Sequence, residues 1–246
     1  MQAATAMKPR DAAPRGRLQW AIGWAALLCA FALHAQPAAA AAQQRAGTRA
    51  PARAYVATDP RTVLVMGDSL SAAYGLAAAQ GWVALTGERV AREKPGWRVV
   101  NASISGETTA GGAARIVDAV VRFRPAVVVI ELGANDALRG LPLRESRRNL
   151  ARMIGAAQGI GAEVLLVGMR MPPNYGPDYT AEFERGYRQL ADRFDTALLP
   201  FLLQPVAADR GNFQADNLHP VAAAQPAIRD HVWNALAPLL DRARGP

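Results

Sequence analysis

The chain is poor in the side chains that carry most covalent and metal chemistry. Of its 246 residues one is cysteine and three are histidine. The cysteine, Cys29, lies in an N-terminal segment with a clear order: basic residues up to Arg17, an apolar run over residues 18–33, then an alanine-rich stretch over residues 35–42. That order reads as a secretory signal covering residues 1–42, with Ala38-Ala39-Ala40 as one available cleavage site. The apolar run is short for a spanning helix and contains Gln19. Leu28, before Cys29, is not small, so a lipidated cysteine is not expected. Cleavage removes Cys29 and His34. The mature chain then has no thiol nucleophile, no disulfide and no cysteine metal site. Any histidine base is His219 or His231.

Other absences narrow the function further. The glycine-rich stretch at residues 105–112 lacks the G-K-[ST] ending of a phosphate loop, and no G-x-G-x-x-G follows the first strand. Histidine and acidic residues form no compact metal cluster, so no metal or other cofactor is expected. The run Gly67-Asp68-Ser69-Leu70-Ser71 is not a G-x-S-x-G elbow, and Ala72 stands where an S-x-x-K lysine would be. Asp68 and Asp136 read as acceptors that hold loops rather than as a glycosidase pair. No internal repeat is apparent. Of the net charge of +8, about +5 lies beyond the signal segment. That is a moderate arginine surplus, and no nucleic-acid partner is expected.

What is present is globular: 51% hydrophobic and 20% charged residues. Residues 43–61 read as a flexible linker, with Arg45, Arg49 and Arg53 among small residues and proline. The folded domain is expected over residues 62–246. Apolar, β-branched runs predict strands over residues 62–66, 98–101, 126–132, 163–168 and 197–201. Helices are predicted over residues 80–92, 112–123, 145–158 and 179–194, and from near Pro226, where Pro238 should kink or end the last one. Residues 133–142 and 169–177 read as loops. Strictly alternating strands and helices imply right-handed crossovers. The expected fold is α/β, a three-layer αβα sandwich with a parallel, flavodoxin-like sheet of about five strands.

The chemistry-bearing residues fall in four blocks: 67–71 (GDSLS), 101–108 (NASISGET), 133–136 (GAND) and 216–220 (DNLHP). The first three follow strands one to three and should emerge at one edge of the sheet. Ser69 is the candidate nucleophile and needs a base. His219 is the candidate base, with Asp216 in the same loop to fix its tautomer. His231, at the margin of the last helix's apolar stripe, reads as structural. The Gly106 and Ser69 backbone N–H groups and the Asn135 amide are candidate donors to an oxyanion.

Taken together, the four blocks resemble the SGNH, or GDSL-type, hydrolase family. Its serine, glycine, asparagine and histidine match Ser69, Gly106, Asn135 and His219, and its acid matches Asp216. The resemblance spans about residues 62–240. It is closest to the periplasmic thioesterase I, protease I or lysophospholipase L1 branch and related arylesterases. Ala134 stands where a second glycine is common, and Glu107 where aspartate is common. Neither departure removes a catalytic group.

The resemblance implies a serine esterase acting through an acyl-enzyme on arylesters, lysophospholipids and acyl thioesters, without a cofactor. The alternatives are an SGNH carbohydrate O-deacetylase and a non-catalytic lipid- or glycan-binding module. In that branch the loop after the asparagine covers bound acyl chains, which assigns Leu138 and Leu141 to substrate binding. Met171, Pro172 and Tyr175 would extend the same apolar wall. The expected partner is a small acyl ester or thioester, lipid esters included. The expected protein is monomeric, periplasmic or secreted, and free of a membrane anchor after cleavage.

Overall fold

The computed structural model describes residues 61–243. The expected signal segment and the linker up to Pro60 lie outside the described residues. Arg61, the last residue read as linker, instead opens the first strand.

Five apolar runs form one parallel sheet: β1 (Arg61–Gly67), β2 (Trp97–Asn101), β3 (Val127–Glu131), β4 (Glu163–Val167) and β5 (Ala197–Leu199). The spatial order is β2-β1-β3-β4-β5. Val63 pairs with Val99 on one side and Val127 on the other, and Gly67 pairs with Glu131. Every residue of β3 is buried, as a continuous Val/Ile run covered on both faces requires. After β2 the chain crosses back over β1 to start β3. The direction of winding therefore reverses at β1, which opens a crevice at the carboxyl ends of the strands there.

Helices cover both faces. Helix α1 (Trp82–Glu93) packs with α6 (Gln225–Arg242) on one side. On the other, α4 (Leu143–Gln158) packs against both α2 (Thr109–Phe123) and α5 (Pro177–Phe194). Sequence marks the helix ends. Thr108 caps α2 by accepting from the Gly111 N–H, so α2 starts earlier than apolar periodicity alone suggests. Pro177 opens α5 at a position where the lost N–H costs nothing.

Two expectations change. Residues 133–142 are not wholly a loop: Ala134–Leu138 form a single helical turn, α3. One turn is too short to show an apolar period. It is fixed by burial of Ala134 and Ala137 and by Gly133, whose φ of 123° only glycine adopts easily. Pro238 neither ends α6 nor marks its boundary; the helix runs on to Arg242. Leu239 and Leu240 are fully buried, and Lys94 pairs with Asp241 at 2.6 Å. Packing of that last turn outweighs the missing hydrogen bond.

Candidate active site

Ser69 sits in the tight turn that leaves β1. Gly67 permits the turn: a Cβ there would lie 2.6 Å from Ser71 Oγ and 2.9 Å from Glu131 Oε2. Asp68 Oδ1 accepts the Leu70 N–H at 3.0 Å, and the Asp68 carbonyl accepts the Ala72 N–H at 2.9 Å. Behind the turn, Ser71 Oγ donates to Glu131 Oε2 at 2.7 Å, and Asn101 donates to the Ser71 carbonyl at 2.8 Å. The serine is thus held from three strands, β1, β2 and β3.

The fourth block arrives from the far end of the chain. His219 Nε2 is 2.8 Å from Ser69 Oγ, and Nδ1 is 2.7 Å from Asp216 Oδ2. Asp216 Oδ1 accepts the Leu218 N–H at 2.9 Å and the His219 N–H at 3.0 Å. The Leu218 bond above all, with the His219 ring and backbone bonds, holds the Asp216 carboxyl down at about 2. An ionised Asp216 places the imidazole proton on Nδ1. Nε2 is then left to accept from the serine hydroxyl. Asn217 takes a left-handed φ of 60°, which asparagine tolerates, and lets the loop fold on its own carboxylate. Gln214 ties this loop to the serine turn: its amide donates to the Tyr74 carbonyl at 2.9 Å and the Pro220 carbonyl at 3.2 Å.

Asn135, on α3, donates through Nδ2 to Asp68 Oδ2 at 3.2 Å and to the Glu107 carbonyl at 3.0 Å. Both of its amide hydrogens are therefore engaged. Gly106 has a φ of 78°, and its carbonyl accepts from Arg139 at 3.0 Å. It lies one residue from the Glu107 carbonyl that Asn135 contacts. Asp136 is turned away into structure: it accepts from the Thr109 N–H and hydroxyl and from Ser146 Oγ, joining the starts of α2 and α4. His231 is also occupied elsewhere, with Nε2 donating to the Phe201 carbonyl at 3.0 Å.

A cavity of about 370 Å³ opens beside this constellation. Ser69, His219 and Asn135 line one part of it, with Leu138, Met171 and Pro172. Leu141 and Tyr175 do not line it. Leu141 is 39% exposed, and Tyr175 instead donates from its hydroxyl to the Leu138 carbonyl at 3.4 Å. Gly106 is also outside the lining. The remaining apolar wall comes from Phe201, Leu203, Phe213 and Leu218. These lie in the irregular segment after β5, which has no period to read. Tyr74, against His219, and Gln214 were equally silent in the sequence. Among the described residues no group of three or more His, Cys, Asp or Glu is placed to hold a metal ion.

A model of the GDSL-like lipase/acylhydrolase family matches residues 65–226. Esterase TesA of Pseudomonas aeruginosa is 52% identical over 180 residues, which cover 73% of this chain and 90% of that protein. Thioesterase 1/protease 1/lysophospholipase L1 of Escherichia coli K12 is 38% identical over 180 residues, covering 73% and 85%. The crystal structure of TesA matches with a TM-score of 0.71 at 51% identity, over 73% of this chain and 99% of that one.

Proposed function

The chain belongs to the GDSL-like lipase/acylhydrolase family and is a carboxylic ester hydrolase, and from that premise we propose that Ser69 is its nucleophile, with His219 as base and Asp216 as the base's partner. The observation that carries this is the unbroken hydrogen-bond chain from Ser69 Oγ through His219 to Asp216, opening on an apolar cavity.

His219 Nε2 takes the Ser69 proton as Oγ attacks the acyl carbon. The carbonyl electrons move to oxygen. The Ser69 and Gly106 N–H groups and the Asn135 amide hold that oxyanion. Asn135 does so by sharing the hydrogen it gives to the Glu107 carbonyl at rest. The imidazolium then protonates the departing alcohol or thiol as the C–O or C–S bond breaks. Water, deprotonated by the same histidine, attacks the acyl-serine and releases the acid.

The substrates proposed are lysophospholipids and acyl thioesters, after the name of the Escherichia coli relative, and arylesters, after the resemblance carried by the four sequence blocks. The acyl chain lies in the cavity against Leu138, Met171, Leu203 and Phe213. Each methylene fully buried there contributes about 0.8 kcal/mol. The order of residues 1–42 supports export to the periplasm or beyond. Acting as a monomer is part of the same reading. A fluorophosphonate probe tests the nucleophile directly. It should label the wild-type protein at Ser69 and leave Ser69→Ala unlabelled; labelling elsewhere, or none, rejects the assignment.

A further inference from the structure

Glu131 ends β3 and takes no part in the acyl transfer just described. It is fully buried, directly opposite Gly67. Its Oε2 accepts from Ser71 Oγ at 2.7 Å and faces the Asp68 N–H at 3.4 Å. Its Oε1 is buried with no partner among the described residues. The neighbouring carboxyl is Asp68, 1% exposed, which accepts from the Leu70 N–H and from Asn135. Neither carboxyl is hydrogen-bonded to an arginine or lysine among the described residues. The other titratable groups facing the pair are His219, which favours the charged form of Asp68, and the Tyr187 hydroxyl. Tyr187 is already committed to the Leu132 carbonyl at 2.9 Å.

Two carboxylates side by side in a dry interior repel, and a buried charged oxygen without a donor is costly. One proton relieves both problems. We propose that Glu131 is a positioning residue that keeps its proton at neutral pH and donates it to Asp68, so that one buried carboxyl pair holds both the Ser69 turn and the Asn135 amide. The inference rests on the esterase reading above. Burial, with the Asp68 charge beside it, pushes Glu131 well above the usual carboxylate range, and burial lifts Asp68 to about 6. The pair therefore carries one negative charge at neutrality, placed on the residue that touches Asn135. Raising the pH removes the shared proton and sets two like charges behind the nucleophile. Turnover then falls while substrate binding, which depends on the apolar cavity, changes little.

Glu131→Gln is the discriminating variant. Its amide N–H replaces the acid O–H, and it cannot titrate. Its kcat should stay within about threefold of wild type at neutral pH, and the alkaline fall in kcat should disappear. Glu131→Leu, which removes both donor and acceptor, should lower kcat by roughly tenfold or more with KM little changed. Infrared spectroscopy supplies a readout independent of turnover and of any variant's folding. Wild-type protein at neutral pH should show the carbonyl stretch of a buried protonated carboxylic acid, and that band should fade over the pH range in which kcat falls. Absence of the band, or an alkaline limb unchanged in Glu131→Gln, overturns the proposal. Fluorophosphonate labelling in parallel separates the two readings. A labelled Ser69 with an unchanged limb rejects the Glu131 role alone. An unlabelled protein rejects the esterase mechanism, and the infrared band still decides the carboxyl pair.

Discussion

The ring of Tyr74 lies against the imidazole of His219, with centroids 4.5 Å apart and planes tilted by 39°. Tyr74 belongs to the serine turn and His219 to the last loop, so this contact and the Gln214 amide are what align the two blocks. An aromatic pair of this kind is worth about 0.5–1.5 kcal/mol. Tyr74→Ala should therefore lower kcat by roughly 2- to 12-fold, while Tyr74→Phe, which keeps the ring, should stay close to wild type. Steady-state kinetics on a soluble p-nitrophenyl ester reads both.

Ser69→Ala and His219→Ala should each lose roughly three or more orders of magnitude in kcat with the fold intact by circular dichroism. His231→Ala should keep nearly full activity, because its imidazole serves only the Phe201 carbonyl. An inactive His231→Ala that remains folded would reassign the base.

Asn135→Ala should cost about 10²–10³ in kcat with a smaller change in KM, since its bond to the oxyanion forms only as charge develops. The same change deprives Asp68 of a donor. A modest fall in thermal midpoint should accompany it. An effect confined to KM would make Asn135 a substrate-binding residue instead.

Asp216 makes a pH-dependent contribution to stability as well as to catalysis. Its folded value of about 2 lies below the ordinary 3.8. Such a group stabilises the fold fully above the unfolded value and loses that contribution as the pH falls through the folded one. The difference in thermal midpoint between wild type and Asp216→Ala should close as the pH falls from about 4 towards about 2. A difference that stays open at that acid limit would contradict the assignment.

Leu138 and Leu141 should separate in a chain-length profile. Leu138 lines the cavity and Leu141 does not. Leu138→Ala should reduce kcat/KM on medium-chain p-nitrophenyl esters by roughly tenfold while leaving acetate turnover near wild type. Leu141→Ala should leave the whole profile unchanged. An acetate optimum in the wild type, unaltered in both variants, would argue for a deacetylase.

The sheet was legible from local apolar runs, and the triad from four separated blocks that only together resemble a known family. The apolar runs of β1 and β3 are short, continuous and rich in β-branched residues, which fits a strand buried on both faces. Asp216 and His219 lie three residues apart, so their contact needs only one turn of loop. The rest depends on packing that brings distant residues together. Helix α3 is a single turn whose hydrogen bonds follow from Gly133 and buried alanines, not from any period. Pro238 reads as a kink or an end, and the end is ruled out only when Leu239 and Leu240 are seen in the core. Phe201, Leu203 and Phe213 carry no mark that separates a cavity wall from ordinary apolar residues. Glu131 lies within a strand run, and only the register that sets it against Gly67 makes it part of the site.

The meeting of Ser69 and His219 spans 150 residues of chain. Among the described residues every strand is complete by Leu199, before the histidine has been synthesised. A chain emerging from its amino end can therefore pair its whole sheet and still hold no base. Its serine stays chemically inert until the final loop docks. The same separation makes catalysis a sentinel for the carboxyl-terminal segment. If that loop detaches, hydrolysis stops while the parallel sheet is still intact, so activity loss should precede melting of the sheet on gentle denaturation.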